Sequence, residues 1–189
     1  MTRTTAAAVL VLALCRFLAG GQLTPDSRSR AAKVVEELEK LEAEQRRAPA
    51  PTGRSYVVSE ADLNAWIAYR IATDDERRVR SCELKLLDGD RAEGRLVLDL
   101  RGTPASIMVP SGAELFFLAS AETREGKIRI TMERLYLGTQ RLAPDLLDTV
   151  IGLVAALEGK PAQSLKDWYP LPYGIRRLES GAGRLICHY

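Results

Sequence analysis

The chain has 189 residues, with 27 lysines and arginines against 25 aspartates and glutamates, and a mean hydropathy of −0.12. An apolar share of 46% and a charged share of 28% belong to an ordinary folded domain, so bulk disorder is excluded, and the near-balanced charge gives no basis for nucleic-acid binding. One histidine and three cysteines leave little material for metal or nucleophilic chemistry.

The first segment reads as an export signal. Arg3 supplies a positive start, Ala6 to Cys15 form an apolar run too short to cross a ~30 Å hydrocarbon core, and Ala19 and Gly21 put small residues ahead of a cut before Gln22. This predicts a signal peptide over residues 1–21 and a mature chain exported to the periplasm or cell envelope. Two other readings stay open. Acylation at Cys15 would make a lipoprotein, although Leu14 and Arg16 flank it unfavourably, and an uncleaved anchor would need Phe17-Leu18-Ala19 to lengthen the run while Arg16 snorkels. Without Cys15, Cys82 and Cys187 are an even pair in an oxidising compartment, which predicts a disulfide joining the first long strand to the last. Its loop of roughly 100 residues would contribute up to ~4–5 kcal/mol. Two buried free thiols are the alternative.

Ser29 to Arg47 predicts a helix with Val34, Val35, Leu38 and Leu41 on a narrow stripe, followed by the Pro-rich stretch Ala48 to Gly53. Residues 22–54 therefore read as a charged helical spacer and stiff linker, with a partner-binding helix as the alternative, and residues 55–189 as the folded body. The body opens with a strong helix start. Ser59 and Asp62 make a capping box, Val58 and Leu63 a hydrophobic staple, and the helix begins at Glu60 with Leu63, Trp66, Ile67 and Ile71 on one face.

Two hairpins follow. Arg78 to Leu87 and Arg91 to Arg101 flank Asp88-Gly89-Asp90, with Cys82, Leu84 and Leu86 sharing one face and Leu96, Leu98 and Leu100 another. Glu114 to Thr123 and Ile128 to Leu137 flank Arg124 to Lys127, with Ile128, Ile130 and Met132 alternating against polar residues. One apolar face per strand predicts an antiparallel sheet with one wet side. Ala143 to Leu157 predicts a further helix striped by Leu147, Val150, Ile151, Val154 and Leu157, and after the aromatic loop Trp168 to Tyr173 a last strand covers Gly183 to Tyr189.

No constellation for catalysis emerges. His188 adjoins Cys187, but neighbouring strand residues point to opposite faces, so the two cannot act as thiol and base. One histidine and two distant cysteines offer no zinc spacing, Glu60 and Asp62 are accounted for by the helix dipole, and Asp88 and Asp90 by turn preference. The expectation is a protein that is not an enzyme and uses no cofactor or metal.

What remains is an excess of amphipathic elements, which either fill one another as an ordinary core or leave a groove for an apolar chain. In the second reading the groove is lined by Leu63, Trp66, Ile67 and Ile71 from the helix and by Leu96, Leu98, Leu100, Ile128, Ile130 and Met132 from the sheet. Periodicity alone does not separate the two. The run Tyr56-Val-Val-Ser-Glu-Ala-Asp-Leu-Asn64, the short helix, two long hairpins, Leu-rich helix and terminal Pro172-Tyr-Gly-Ile-Arg-Arg-Leu178 resemble small bacterial envelope proteins of the YceB-like and YpmS-like kind. Those are similar to the tubular lipid-binding (TULIP) class. The resemblance implies a single α+β domain whose strongly curved antiparallel sheet wraps amphipathic helices, with lipid or another apolar molecule as partner, peripheral membrane contact, and no nucleic acid. A structural or assembly factor with a packed core and a protein partner is the alternative. For the export reading, N-terminal sequencing of protein from the native host is expected to begin at or near Gln22. A start at Cys15 would establish the lipoprotein, and an intact Met1 in a membrane fraction the anchor.

Overall fold

The computed structural model describes residues 23–46, 53–73, 79–99, 101, 112–146, 148, 149, 152 and 164–189. The expected signal segment with Cys15, most of the Pro-rich linker, Leu100 and most of the helix expected over Ala143–Leu157 lie outside them. Helix α1, Pro25–Gln45, starts four residues earlier than the apolar stripe suggested, because Thr24 caps it by accepting from the Ser27 N–H at 3.2 Å and Pro25 suits the first helical position. Its stripe of Ala31, Val34, Leu38 and Leu41 is buried against helix α2, Glu60–Ala72. The segment read as a spacer is thus packed on the body. A stripe width tells how much a helix must bury, and not whether its cover lies in the same chain.

Helix α2 begins at Glu60 as its cap requires: Ser59 Oγ accepts from the Asp62 N–H at 3.1 Å, and Arg30 of α1 reaches the Asp62 carboxylate at 3.2 Å. Leu63, Ile67 and Ile71 are buried, and Trp66 is half-buried against the core.

The strands form two antiparallel sheets. β2 (Val79–Leu87), β3 (Arg91–Leu98), β4 (Glu114–Arg124), β5 (Lys127–Leu137) and β6 (Gln140–Leu142) follow one another in order, and a short β7 (Tyr169–Pro170) pairs with the start of β5. This sheet is strongly curled into a half-barrel. Between Met132 and Arg134 the register against β4 shifts by one residue, so Ile128, Ile130 and Met132 face inward and, past the bulge, Leu135 takes over the buried position. The second sheet has the order β1 (Ser55–Ser59), β9 (Arg184–His188), β8 (Arg177–Gly181).

That order corrects the expected disulfide. Cys82 sits in β2 of the half-barrel, whereas Cys187 sits in β9 between Tyr56 of β1 and Leu178 of β8, and both are free and buried. Alternation assigns each cysteine a face but says nothing of which strand becomes its neighbour.

Side chains finish the edges of both sheets. On β2, the Leu84 N–H donates to Asn64 Oδ1 at 2.8 Å while Asn64 Nδ2 donates to the Leu84 carbonyl at 2.7 Å, so one amide side chain makes both bonds of a missing strand. Two residues along, the Leu86 N–H donates to Glu60 Oε2 at 2.6 Å. Four helical residues advance about 6 Å and two strand residues about 6.6 Å, so α2 places one side chain per outward-facing rung. Asn64→Leu leaves both polar groups of Leu84 unpaired at similar side-chain volume. It is expected to cost about 2 kcal/mol, read as a lower urea midpoint with an unchanged slope.

Candidate apolar binding cavity

A cavity of about 140 Å³ lies between the half-barrel, α2 and the β8–β9 hairpin. Leu63 and Ile67 of α2 and Ile128, Ile130 and Met132 of β5 line it, five of the ten groove residues expected from the sequence. Ile71, Leu96 and Leu98 are buried elsewhere in the core, and Trp66 packs beside that core without reaching the cavity. The remaining wall was not assigned to a groove from the sequence: Cys82, Leu84 and Leu86 on β2, Phe117 on β4, Leu178 on β8 and Leu185 on β9. The shared face of Cys82, Leu84 and Leu86 was legible; that it turns toward α2 depended on the curl of the sheet.

The space itself comes from small residues. Ala92 of β3 stands opposite Ala119 of β4, and Ala121 follows two positions on, so the inner face lacks bulk where both neighbouring strands carry large residues. One rung away, Gly94 is paired with Phe117, and a methyl group added at Gly94 would fall 2.0 Å from the Phe117 ring. The ring therefore lies over the bare glycine. This alternation of small and large residues along paired strands is the sequence signal of the cavity.

Four polar residues, Asp90, Arg91, Ser120 and Ser180, also stand at the wall, but the surface turned to the cavity is almost wholly apolar, and Asp90 and Ser180 are bonded within the chain. Asp90 Oδ1 accepts from the Ser180 N–H at 2.7 Å, and Ser180 Oγ donates to the Leu87 carbonyl at 3.0 Å. A carboxylate or hydroxyl entering the apolar body would lose its water without gaining a partner there. A hydrocarbon end suffers no such loss.

A larger groove of about 800 Å³ runs outside, between α2 and the β2–β3 face, floored by Ala61, Ala65 and Ala68. Its charges are of both signs and largely paired with one another or with neighbours, as in Arg95–Glu114, Arg80–Asp99 and Arg30–Asp62. His188 Nε2 lies 3.3 Å from Glu179 Oε2, a cross-strand pair on the terminal hairpin, while burial pushes the adjoining Cys187 thiol up to about 12. Among the described residues no three histidines, cysteines or acids gather as a metal site, and no helix is long and apolar enough to cross a membrane. No protein-family model, curated protein or solved structure matches the chain.

Burial likewise pushes Cys82 up to about 12, from an ordinary value of 9.0. A thiol whose folded value is raised contributes stability that is complete below the unfolded value and is lost as pH rises through the folded one. Stability is therefore expected to fall between about pH 9 and 12, and Cys82→Ala should flatten that slope in urea titrations. Iodoacetamide at pH 8 should modify neither Cys82 nor Cys187 until the chain unfolds.

Proposed function

We propose that the protein binds the apolar end of a single-chain lipid or similar molecule without acting on it, as an exported component of the cell envelope. The observation that carries this reading is a cavity with a hydrocarbon wall whose Asp90 and Ser180 groups are bonded within the chain. An empty cavity of this size would cost about 3 kcal/mol at ~24 cal/mol per Å³, a large part of the 5–15 kcal/mol that holds a typical domain together. An aliphatic ligand would recover that loss. The volume is close to the ~150 Å³ apolar cavity that accepts benzene and below the ~300 Å³ at which drug-sized pockets begin, so it suits a chain end of about six carbons with its head group outside. Membership of the YceB-like and YpmS-like envelope proteins, which the run Tyr56–Asn64 resembles, would imply the same reading.

The competing proposal, an assembly factor using the first helix, is less well supported, because α1 spends its apolar stripe within the chain and offers a face of ion pairs such as Lys40–Glu36 and Arg46–Glu42. Titration with straight-chain alcohols tests the cavity reading. Each methylene from butanol to about hexanol is expected to raise affinity about fourfold, from ~0.8 kcal/mol per buried group, and longer chains should add little. Gly94→Ala should push the Phe117 ring into the space and shorten the longest chain that still gains. Absence of binding by any of these alcohols, together with native mass spectrometry showing no carried lipid, would leave only a packed domain.

A further inference from the structure

The walls of the cavity are not equally fastened. From β2 to β5 the wall is a continuous backbone ladder, and α2 is bound to β2 through Asn64 and Glu60. The β8–β9 hairpin supplies Leu178, Ser180 and Leu185 to the cavity but has no ladder to the half-barrel. Thr123 Oγ1 accepts from the Leu178 N–H at 3.3 Å and donates to the Leu178 carbonyl at 3.2 Å. Asp90 takes the Ser180 N–H at 2.7 Å, and Asp88 takes the Ala182 N–H at 2.9 Å. On its far side the hairpin hangs from β1 by a full ladder, and at its turn Gly183 donates to Leu86 and accepts from Glu60.

From this we infer that the side-chain seam along β8 is the gate of the cavity: the hairpin pivots on β1 and the Gly183 turn, lifting Leu178 and Ser180 from Thr123 and Asp90 to admit the ligand. The inference rests on the binding function proposed above and assigns how that site is entered. Four side chains hold the seam, Ser180 among them through its hydroxyl on the Leu87 carbonyl at 3.0 Å, together with single backbone bonds from the Asp90 N–H to the Ser180 carbonyl at 3.5 Å and from the Gly126 N–H to the Arg176 carbonyl at 3.1 Å. None is part of a strand-to-strand ladder, so the seam can part while the ladders of the half-barrel stay intact. Separating the strands of the half-barrel would instead break many bonds together.

Native-state hydrogen exchange on the full chain tests the seam without any ligand. The amides of Leu178 and Ser180 are expected to exchange at least about tenfold faster than those of the β3–β4 ladder. Asp90→Ala should accelerate both together, including Leu178, whose own partner Thr123 is untouched, whereas Asp90→Asn, which keeps a carbonyl acceptor, should stay near wild type. With hexanol as probe, Thr123→Val, outside the cavity wall, should raise the release rate by about thirtyfold, the effect of two lost hydrogen bonds, with a smaller change in affinity. Seam amides as protected as the ladder, or responding one at a time, would overturn the gate. Hexanol that binds but leaves at a rate indifferent to Thr123→Val overturns the gate alone; hexanol that never binds overturns the binding function and the gate with it.

Discussion

The pairing of Asn64 with the edge of β2 is the constraint on which the rest of the architecture depends. A sheet that curls but does not close keeps two open edges, each a template for unwanted pairing. Here the first edge is finished by a helix. Because the Asn64 amide reproduces the donor and acceptor of a peptide group, α2 is held against Leu84 at a fixed height, and with it the inward faces of Leu63 and Ile67. The Ser59 cap that starts α2 also sets which residues fall at 60 and 64, so a local signal fixes a long-range contact.

The same solution recurs on the other sheet. Thr123 does for Leu178 what Asn64 does for Leu84, with one hydroxyl serving as donor and acceptor, and Asp90 serves Ser180. The difference lies in strength and redundancy. Asn64 is backed by a buried helix face and by α1 behind it, whereas Thr123 and Asp90 reach out from a strand and a turn. Asp90 lies at φ 56°, beside Gly89 at φ 76°, so the turn that presents this carboxylate is itself left-handed.

Elements with a local cause were legible in the sequence. The start of α2 at Glu60 followed from its cap, and the hairpins around Asp88–Asp90 and Arg124–Lys127 from turn residues between alternating strands. The docking of α1, the partners of β9 and the curl of the large sheet were not legible, because each is decided by contacts between distant segments that periodicity does not encode. Five of the ten residues expected in a groove line the cavity, because apolar alternation identifies inward faces while the cavity sits where those faces carry Ala92, Ala119 and Ala121. Reading small residues across paired strands, rather than large ones along them, would have located it. Leu96 and Leu98 have the right face and lie in the filled part of the core.

The insertion of β9 between β1 and β8 has a kinetic consequence. Ser55 near the start of the body pairs with His188 at the end of the chain, so the smaller sheet closes only when almost the entire body has been synthesised and collapsed. Such non-local closure is slow. Until it happens Cys187 is an exposed thiol, and so is Cys82 while β2 lacks its covering helix, although each is out of reach of oxidants once folded. A bridge formed between these two cysteines before that closure would tie together strands that belong to different sheets, and would trap the chain short of its native topology.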